Sequence, residues 1–318
     1  MENYLIQAHG LHKTFRTAKG GEVHAVDGLN LQVRAGEIYG LVGADGAGKT
    51  TTIRMLVGAL KQNAGQVHIA GYSLNDQLDQ ARAQVGYLSQ RFSLYDDLTV
   101  MENIRFFAEV RGLRNHEWLP RCQEILDFVN LGQFKDRPAG KLSGGMKQKL
   151  GLATALVSNP RVLLLDEPTT GVDPVTRQDF WQLIIQLVNA PETQAVCVLI
   201  STPYMDEAAR CHRIGFMNRG RLVMEGSPGE LRAILNGRVL ELRGEPLQQL
   251  RQLAAADPGV EDVHSFGDWL HLRLKEPFPQ PVIDRLRRAI PQAGAIFNDA
   301  REIPATLEDV FISLSREG

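Results

Sequence analysis

Short, strongly apolar segments recur along the first two thirds of the chain. Residues 162–165 are four consecutive aliphatic residues, a pattern typical of a strand buried on both faces of a parallel sheet. Residues 38–42 form a similar run that ends at Gly43, and apolar residues then follow at helical spacing, at positions 53, 56, 57 and 60. The pattern predicts strand–loop–helix units and therefore an α/β fold.

The middle of the chain, about residues 92–150, changes to a helical pattern. Thr99 and Glu102 have the spacing of a capping box, and one apolar face continues at positions 100, 104, 107 and 110. A second helix is predicted to start near Trp118, with apolar positions 119, 122, 125, 126 and 129, and to end at Gly132. These helices predict a helical subdomain within the first domain.

Residues 238–304 show a third pattern, in which strand, helix, strand, strand, helix and strand follow one another. The strands alternate, for example at positions 270, 272 and 274, and Pro281 is expected to open the second helix. This order is typical of a ferredoxin-like α+β domain. A terminal helix capped by Thr306 follows. We therefore expect two domains, residues 1–232 and 238–318, the second with a regulatory or dimer-contact role, or only a stabilising one.

Composition places the chain among ordinary globular proteins. Of 318 residues, 43% are hydrophobic and 23% charged, and the net charge of −2 gives no support to nucleic-acid binding. Cys122, Cys197 and Cys211 lack metal-ligand spacing, which favours reduced thiols in the cytoplasm. We expect no secretory signal, and the most apolar runs are far shorter than the ~20 residues that cross a bilayer. A membrane role is therefore expected to require a partner.

Residues 43–50 carry the pattern G-x-x-x-x-G-K-T between the first predicted strand and its helix. Glycines allow consecutive backbone N–H groups to converge on phosphate oxygens, Lys49 reaches the outer phosphates, and the Thr50 hydroxyl suits Mg²⁺. A plain glycine turn is the alternative, which the placement of Lys49 and Thr50 disfavours. The predicted phosphate-binding residues are Gly43, Ala44, Asp45, Gly46, Ala47, Gly48, Lys49, Thr50 and Thr51.

Two acidic residues, Asp166 and Glu167, directly follow the apolar run at 162–165. A carboxylate at a strand end can hold the metal of a phosphate site through water, and this is the predicted role of Asp166. Glu167 is predicted to polarise the attacking water as a general base. Solvated charges at a sheet edge are the alternative.

Residues 142–148 read LSGGMKQ, in which Ser143, Gly144 and Gly145 are predicted to begin a helix whose exposed amides suit a phosphate. The motif resembles the signature of ABC-transporter ATPases, and the resemblance covers roughly residues 4–230. It implies a P-loop NTPase domain of the ABC ATPase type, with a mixed-sheet core and a helical subdomain. It also implies two chains arranged head to tail around two ATP molecules with Mg²⁺, each bound by one chain's glycine loop and the other chain's signature.

The resemblance implies roles for three further residues. Phe15 occupies the place of the ring that stacks on adenine, although a core phenylalanine is the alternative. Gln90 matches the glutamine that reaches Mg²⁺ and the attacking water, and Asp173 matches the loop that connects the two nucleotide sites; singly, each would pass for a surface polar residue. The expected catalytic residues are Glu167, Gln90 and Lys49, and the expected metal ligands are Thr50, Gln90 and Asp166.

Pro203 departs from the family pattern, which would be S-T-H where this chain has Ser201, Thr202 and Pro203. The family histidine contacts the γ-phosphate, whereas proline has neither a side-chain donor nor a backbone N–H. Loss of one such contact costs on the order of a hundredfold in rate, so slow hydrolysis is expected at this chain's own site. The alternative is that Thr202 or Tyr204 substitutes. Because the base and the signature are retained, an asymmetric heterodimer with a histidine-bearing ATPase chain is favoured over a homodimer.

The ending ATLEDVFISL, residues 305–314, resembles ATPase subunits of multidrug and ABC-2-type exporters of the daunorubicin-resistance type. This resemblance implies an exporter of a drug or another small amphipathic substrate, with separate transmembrane permease subunits that meet the segment 91–100 after Gln90. Such a subunit is cytoplasmic and peripheral on the inner face of the cell membrane. A regulatory module without turnover, and a soluble ABC ATPase acting on ribosomes or nucleic acid, are the alternatives.

Overall fold

The structure is a computed structural model that describes residues 3–17, 20–90, 93–190 and 195–316. The chain divides into two compact units, Met1–Glu225 and Gly226–Gly318. Within the described ranges, no helix combines the length and the apolar character that a membrane span requires. The three cysteines are buried free thiols.

The first unit contains ten strands and seven α-helices among its described residues. Its strands are β1 (Tyr4–Arg16), β2 (Glu22–Arg34), β3 (Ile38–Val42), β4 (Ala64–Ile69), β5 (Tyr72–Ser73), β6 (Val85–Leu88), β7 (Val162–Asp166), β8 (Cys197–Thr202), β9 (Arg213–Asn218) and β10 (Arg221–Gly226). Its helices are α1 (Lys49–Leu56), α2 (Leu78–Ala83), α3 (Val100–Val110), α4 (Asn115–Phe128), α5 (Gly144–Leu156), α6 (Pro174–Asn189) and α7 (Met205–Ala208).

A six-stranded sheet in the order β10-β9-β3-β8-β7-β6 forms the centre of the first unit. The strand pairs from β9 to β6 along this order are parallel, and every residue of β3, β7 and β8 is buried, which confirms the parallel strand expected at 162–165. Carboxyl ends of parallel strands meet at one sheet edge. The register sets Val42 beside Thr202 and Asp166 beside Ser201, so the loops after β3, β7 and β8 converge there.

A second, antiparallel sheet in the order β2-β1-β4-β5 covers part of this core. It is built on the long pairing of β1 with β2, whose apolar side chains are almost fully buried on the inner side. Next to the loop that joins the two strands, Phe15 lies opposite Val23. The hairpin therefore carries Phe15 and Val23 together toward the same end of the sheet.

The helical segment agrees with the sequence at its start and departs from it later. The predicted capping box of α3 is confirmed, because Thr99 Oγ1 accepts from the Glu102 N–H at 3.1 Å and the Glu102 carboxylate accepts from the Thr99 N–H at 2.8 Å. The predicted end of α4 at Gly132 is wrong. The helix ends at Phe128, and Asn130 adopts the left-handed conformation with φ 56°, which asparagine tolerates.

The buried faces of these helices also differ from the expected ones. Val110 is 68% exposed and Leu119 is 49% exposed, whereas Trp118 is 3% exposed. Because α4 begins at Asn115, three residues before the predicted start, Trp118 is already in the helix and shares the buried face with Cys122 and Leu126. The expected apolar faces are therefore wrong at Val110 and Leu119.

The second unit contains four strands and four helices among its described residues. They are α8 (Pro228–Ala233), β11 (Val239–Glu245), α9 (Leu247–Ala256), β12 (Val260–Phe266), β13 (Trp269–Leu274), α10 (Pro279–Gln292), β14 (Ile296–Glu302) and α11 (Leu307–Arg316). The antiparallel sheet has the order β12-β13-β11-β14, which is the ferredoxin-like order expected for two β-α-β halves.

The core of this unit forms between one sheet face and the helices α9 and α10. Leu270, Leu272 and Leu274 are all buried in it, as their alternation predicted. The expectation that Pro281 opens α10 is wrong, since the helix begins at Pro279 and accommodates both prolines in its first turn. Thr306 caps α11 as predicted, accepting from the Asp309 N–H at 3.1 Å.

Candidate functional site

The loop between β3 and α1 forms one wall of a cavity of about 320 Å³. Gly46 and Gly48 have φ values of +79° and +108°, which non-glycine residues rarely adopt. A Cβ atom on Gly48 would lie 2.2 Å from the Ala25 carbonyl oxygen, so the loop can pass this strand only as glycine. The cavity is lined by Val23, His24, Ala25, Asp45, Gly46, Gly48, Lys49, Thr50, Thr51, Gln90 and Glu167.

Lys49 is the buried cation of this cavity. Its side chain is 4% exposed, and Nζ donates to the carbonyl oxygens of Gly43 at 2.8 Å and Ala44 at 3.2 Å. Nζ also lies 3.2 Å from the Glu167 carboxylate. These partners hold the ammonium group inside the curve of the glycine loop. A bound anion could replace them as the partner of the ammonium group.

Asp166, at the end of β7, has a carboxylate whose two oxygens differ. Oδ1 accepts from the Thr50 hydroxyl at 3.0 Å and from the Ser201 hydroxyl at 2.9 Å, whereas the buried Oδ2 has no hydrogen-bond partner. Burial raises the pKa of Asp166 above its usual 3.8, although the hydrogen bonds from Ser201 and Thr50 oppose the rise. An unpartnered carboxylate oxygen next to a hydroxyl is an oxygen-donor set that fits Mg²⁺.

A metal cage made of protein side chains alone is absent from the described residues, because no group of three or more His, Cys, Asp or Glu side chains is suited to a metal. Mg²⁺ usually binds through one or two protein oxygens, with phosphate and water completing its shell. The pair of Thr50 and Asp166 matches that mode.

Glu167 contacts both Lys49 and Gln90, the latter just after the end of β6. Its carboxylate accepts from Gln90 Nε2 at 2.9 Å and pairs with Lys49, and its side chain is 8% exposed. Its backbone has φ 47°, held by bonds from its N–H to the Ser201 hydroxyl at 2.9 Å and to the Ser201 carbonyl at 3.2 Å. The structure thus brings Lys49, Gln90 and Glu167 to one point.

Sequence reasoning missed the part that Ser201 plays. Its hydroxyl donates to Asp166 and accepts from the Glu167 N–H, so one buried side chain fixes both carboxylates. Its position beside Asp166 depends on the register between β7 and β8. The only available signal was its place at the end of an apolar strand.

Pro203 follows β8 at the same sheet edge and is half-buried. Thr202 is fully buried, and its hydroxyl donates to Glu207 at 2.7 Å and accepts from the Tyr204 N–H at 3.0 Å. The Tyr204 ring lies under the Arg177 guanidinium, 4.8 Å from centroid to carbon. Both side chains that flank Pro203 are therefore engaged, Thr202 by Glu207 of α7 and Tyr204 by Arg177 of α6.

Phe15 is 41% exposed, so it is not the core residue that the alternative required. The Lys13 ammonium group is 5.3 Å from its ring centroid, and its cross-strand neighbour Val23 lines the cavity. The exposed ring therefore lies next to a residue that lines the cavity.

Ser143, Gly145 and Asp173 lie outside the cavity that Lys49 occupies in this chain. Ser143 caps α5 by accepting from the Met146 N–H at 3.3 Å. Asp173 caps α6 by accepting from the N–H groups of Val175 and Thr176 at 3.1 and 3.0 Å, and hydrogen bonding to Thr176 lowers its pKa. Both residues begin helices at exposed positions.

The segment expected to meet a permease, residues 91–100, is described from residue 93 onward, so Arg91 and Phe92 lie outside the described residues. Beside it is a cavity of about 200 Å³. Tyr95, in this segment, is 48% exposed and makes an edge contact with Phe106 at 4.6 Å. The lining includes Tyr87, Leu88, Ser93, Leu94 and Phe107.

A glycine loop between a buried parallel strand and a helix, together with an acidic residue at the end of a neighbouring strand, defines a nucleotide-binding domain of the P-loop class. Residues 26–170 match the family model described as ABC transporter. The chain belongs to this family, as an ATP-binding protein of the ABC type, and the expected fold class is confirmed.

Two curated relatives illustrate the similarity. The chain is 39% identical over 316 residues to the Escherichia coli (strain K12) protein named "Probable multidrug ABC transporter ATP-binding protein YbhF", covering 99% of this chain and 52% of that protein. It therefore spans about half the length of this relative. It is also 39% identical over 292 residues to the Nod factor export ATP-binding protein I of Burkholderia thailandensis, covering 91% of each.

Solved structures resemble the chain at lower identity. One is a dimeric structure of the ATP-binding cassette MJ0796 in a post-hydrolysis state bound to ADP and Pi, with 26% identity, a TM-score of 0.63, and coverage of 70% of this chain and 98% of that one. Another is cbiO1 from Clostridium perfringens, part of the ABC transporter complex cbiONQ, with 25% identity, a TM-score of 0.64, and coverage of 81% and 97%.

Proposed function

We propose that the chain is the ATP-binding and ATP-hydrolysing subunit of an ABC exporter for a drug or another small amphipathic substrate. The observation that carries this proposal is the convergence of Lys49, Thr50, Gln90, Asp166 and Glu167 around one cavity next to a glycine loop. The relatives whose names include multidrug transport and Nod factor export support the direction of transport.

The residues divide the chemistry of phosphoryl transfer among them. Lys49 leaves its carbonyl partners in the loop to bind the outer phosphates of ATP, and Phe15 stacks on the adenine. Thr50 and Asp166, with Gln90, would hold Mg²⁺, which supplies charge neutralisation at the phosphates. Glu167 accepts the proton of the attacking water, and Gln90, which already donates to its carboxylate, orients that water.

The proposal includes slow ATP hydrolysis at this chain's own site, because Pro203 stands in the place of the family histidine. A group that replaced the family histidine would have to come from Thr202 or Tyr204, but the Thr202 hydroxyl already bonds to Glu207 and the Tyr204 ring packs on Arg177. Neither is free to turn toward the γ-phosphate without losing these contacts. We therefore favour impaired hydrolysis over substitution by a neighbour.

Two kinds of partner follow from this function. Ser143 to Gly145 and Asp173, outside this chain's own cavity, serve the nucleotide site of a second ATPase chain. A partner that carries the histidine gives that pair one competent site, so a heterodimer is favoured. Transmembrane permease subunits dock beside Tyr95 and the neighbouring cavity, which places the subunit on the inner face of the cell membrane.

The test is ATP hydrolysis by the purified chain with Mg²⁺ at several protein concentrations. Wild type is expected to be slow, Glu167→Gln silent, and Pro203→His at least about tenfold faster than wild type. Pro203→Ala is the matched control, because it restores the backbone N–H without supplying an imidazole, and it should remain slow.

Each alternative result has a distinct meaning. Brisk turnover by wild type that Pro203→His does not increase contradicts the impairment and leaves the exporter ATPase. Tight ATP binding without turnover in any variant, Pro203→His included, supports the regulatory module without hydrolysis instead.

A further inference from the structure

The strand β14 forms an open edge of the sheet in the second unit. It is last in the order β12-β13-β11-β14, and β11 is its only strand partner among the described residues. Six of its seven residues are exposed or half-buried, and Ile296 at its start is 58% exposed. Such an edge presents unpaired N–H and C=O groups to which another strand can bond.

The pairing with β11 determines which backbone groups of β14 face outward. The Ile303 N–H donates to the Val239 carbonyl, and the register continues from there with Glu302 opposite Leu240. Hydrogen-bonded and non-hydrogen-bonded pairs alternate along an antiparallel ladder, so positions 299 and 301 bond to β11. Position 300 and Glu302 therefore direct their N–H and C=O groups to the open edge.

We propose that β14 pairs antiparallel with β14 of a second copy of this chain, with Ala300 opposite Ala300. In this register the outward groups of Ala300 bond to each other, and Asp299 lies opposite Arg301 of the second copy, twice by symmetry. Registers centred on Asp299 or on Arg301 would instead set like charges opposite each other. Charge complementarity thus selects the register that the backbone also allows.

The neighbouring strand extends the same pattern. In β11, Arg243 lies opposite Asp299 and Glu241 lies opposite Arg301, whose guanidinium is 3.0 Å from the Glu241 carboxylate. Across the paired sheet, four charged side chains would then lie side by side in the order Arg243, Asp299, Arg301 of the second copy and Glu241 of the second copy. Their charges alternate between positive and negative along this order. The Arg301 side chain is 59% exposed and can contact Asp299 of the second copy while it keeps Glu241.

This pairing does not rest on the proposed function. It joins identical chains through their second units and needs no nucleotide, whereas the proposed ATP-bound pair is formed through the first unit. ATP-dependent association is measured separately with Glu167→Gln, so either proposal can fail while the other stands.

The test is sedimentation velocity of the full chain with EDTA and without nucleotide, over a concentration series. Wild type is expected to dimerise, and Asp299→Arg and Arg301→Glu are each expected to weaken the dimer at least about tenfold, because each sets two like-charge pairs across the edge. An equal mixture of the two variants restores both opposite-charge pairs and is expected to dimerise as wild type does.

A second pair of variants tests the backbone. Glu302→Pro removes an outward N–H without breaking a bond to β11 and is expected to abolish the dimer, whereas Glu302→Ala retains that N–H and keeps the dimer. Tryptophan fluorescence in a Trp118→Phe, Trp181→Phe background, where the signal comes from Trp269 in β13, verifies that the unit is folded in each variant. A wild type that stays monomeric over the whole series, a mixture no tighter than its components, or a dimer unaffected by Glu302→Pro overturns the proposal.

Discussion

Glu207 is the most deeply buried acidic residue next to the candidate site, with no exposed surface. Its carboxylate accepts from the Thr169 hydroxyl at 2.5 Å and from the Thr202 hydroxyl at 2.7 Å, and Arg177 Nε lies 3.8 Å away. Replacing Glu207 by alanine removes both acceptors and one carboxylate close to Arg177. The loop that carries Pro203 then loses its attachment to the segment before α6.

The expected cost follows from these contacts. Removing one partner of a buried, hydrogen-bonded charge leaves the others unsatisfied and typically costs about 3–5 kcal/mol. Arg177 is 23% exposed and also lies 3.6 Å from Asp206, so part of its charge stays compensated. We therefore expect Glu207→Ala to lower the free energy of unfolding by about 3 kcal/mol, and Glu207→Gln, which keeps one acceptor, by about 1–2 kcal/mol.

The assay is urea unfolding followed by tryptophan fluorescence in a Trp269→Phe background, so that the signal comes from Trp118 and Trp181 in the first unit. Asp206→Ala is the control, because its carboxylate is exposed and its pair with Arg177 is worth about 1 kcal/mol at most. A change below about 1 kcal/mol for Glu207→Ala would refute the reasoning, since the two hydroxyls would then have found other partners.

Three further predictions concern single residues. Asp166→Asn is expected to weaken Mg²⁺-dependent binding of a fluorescent ATP analogue at least about tenfold and to leave binding in EDTA unchanged. Gly48→Ala is expected to destabilise the chain more than Gly71→Ala in thermal unfolding, since both have positive φ but only Gly48 meets a carbonyl oxygen. Burial raises the pKa of Asp309, but hydrogen bonds from His271 and Thr306 outweigh it and hold the pKa below 3.8. That stabilisation is present above pH 3.8 and lost as the pH falls below it, so the pH dependence of unfolding in this range, followed by Trp269 fluorescence in a Trp118→Phe, Trp181→Phe background, should flatten in Asp309→Asn, with Asp268→Asn as the exposed control.

Strong local patterns predicted the centre of the first unit. The apolar run before Asp166 and the glycine loop before Lys49 each specify one element almost without regard to the rest of the chain. The same holds for the capping box of Thr99 and Glu102, whose two partners are three residues apart. These features were readable because their determinants lie within a few residues of each other.

Features that depend on distant elements were not readable. Glu207 belongs to an acidic stretch that would pass for a solvated helix start, and it is buried only because Thr169 and Thr202 arrive from two other elements. The end of α4 was missed because Asn130, rather than Gly132, adopts the left-handed conformation. Leu119 is exposed because α4 begins at Asn115 and buries the face that carries Trp118, Cys122 and Leu126. Leu119 lies beside that face.

The closeness of α5 to α6 limits which sequences this fold can accept. A Cβ atom on Gly145 would lie 2.1 Å from Thr176 Cγ2, and Thr176 also donates its N–H to Asp173. The starts of α5 and α6 thus meet at one threonine. A larger residue at 145 therefore requires a change at 176, such as Thr176→Ala, that removes the crowding Cγ2 atom, so position 145 can change only together with position 176.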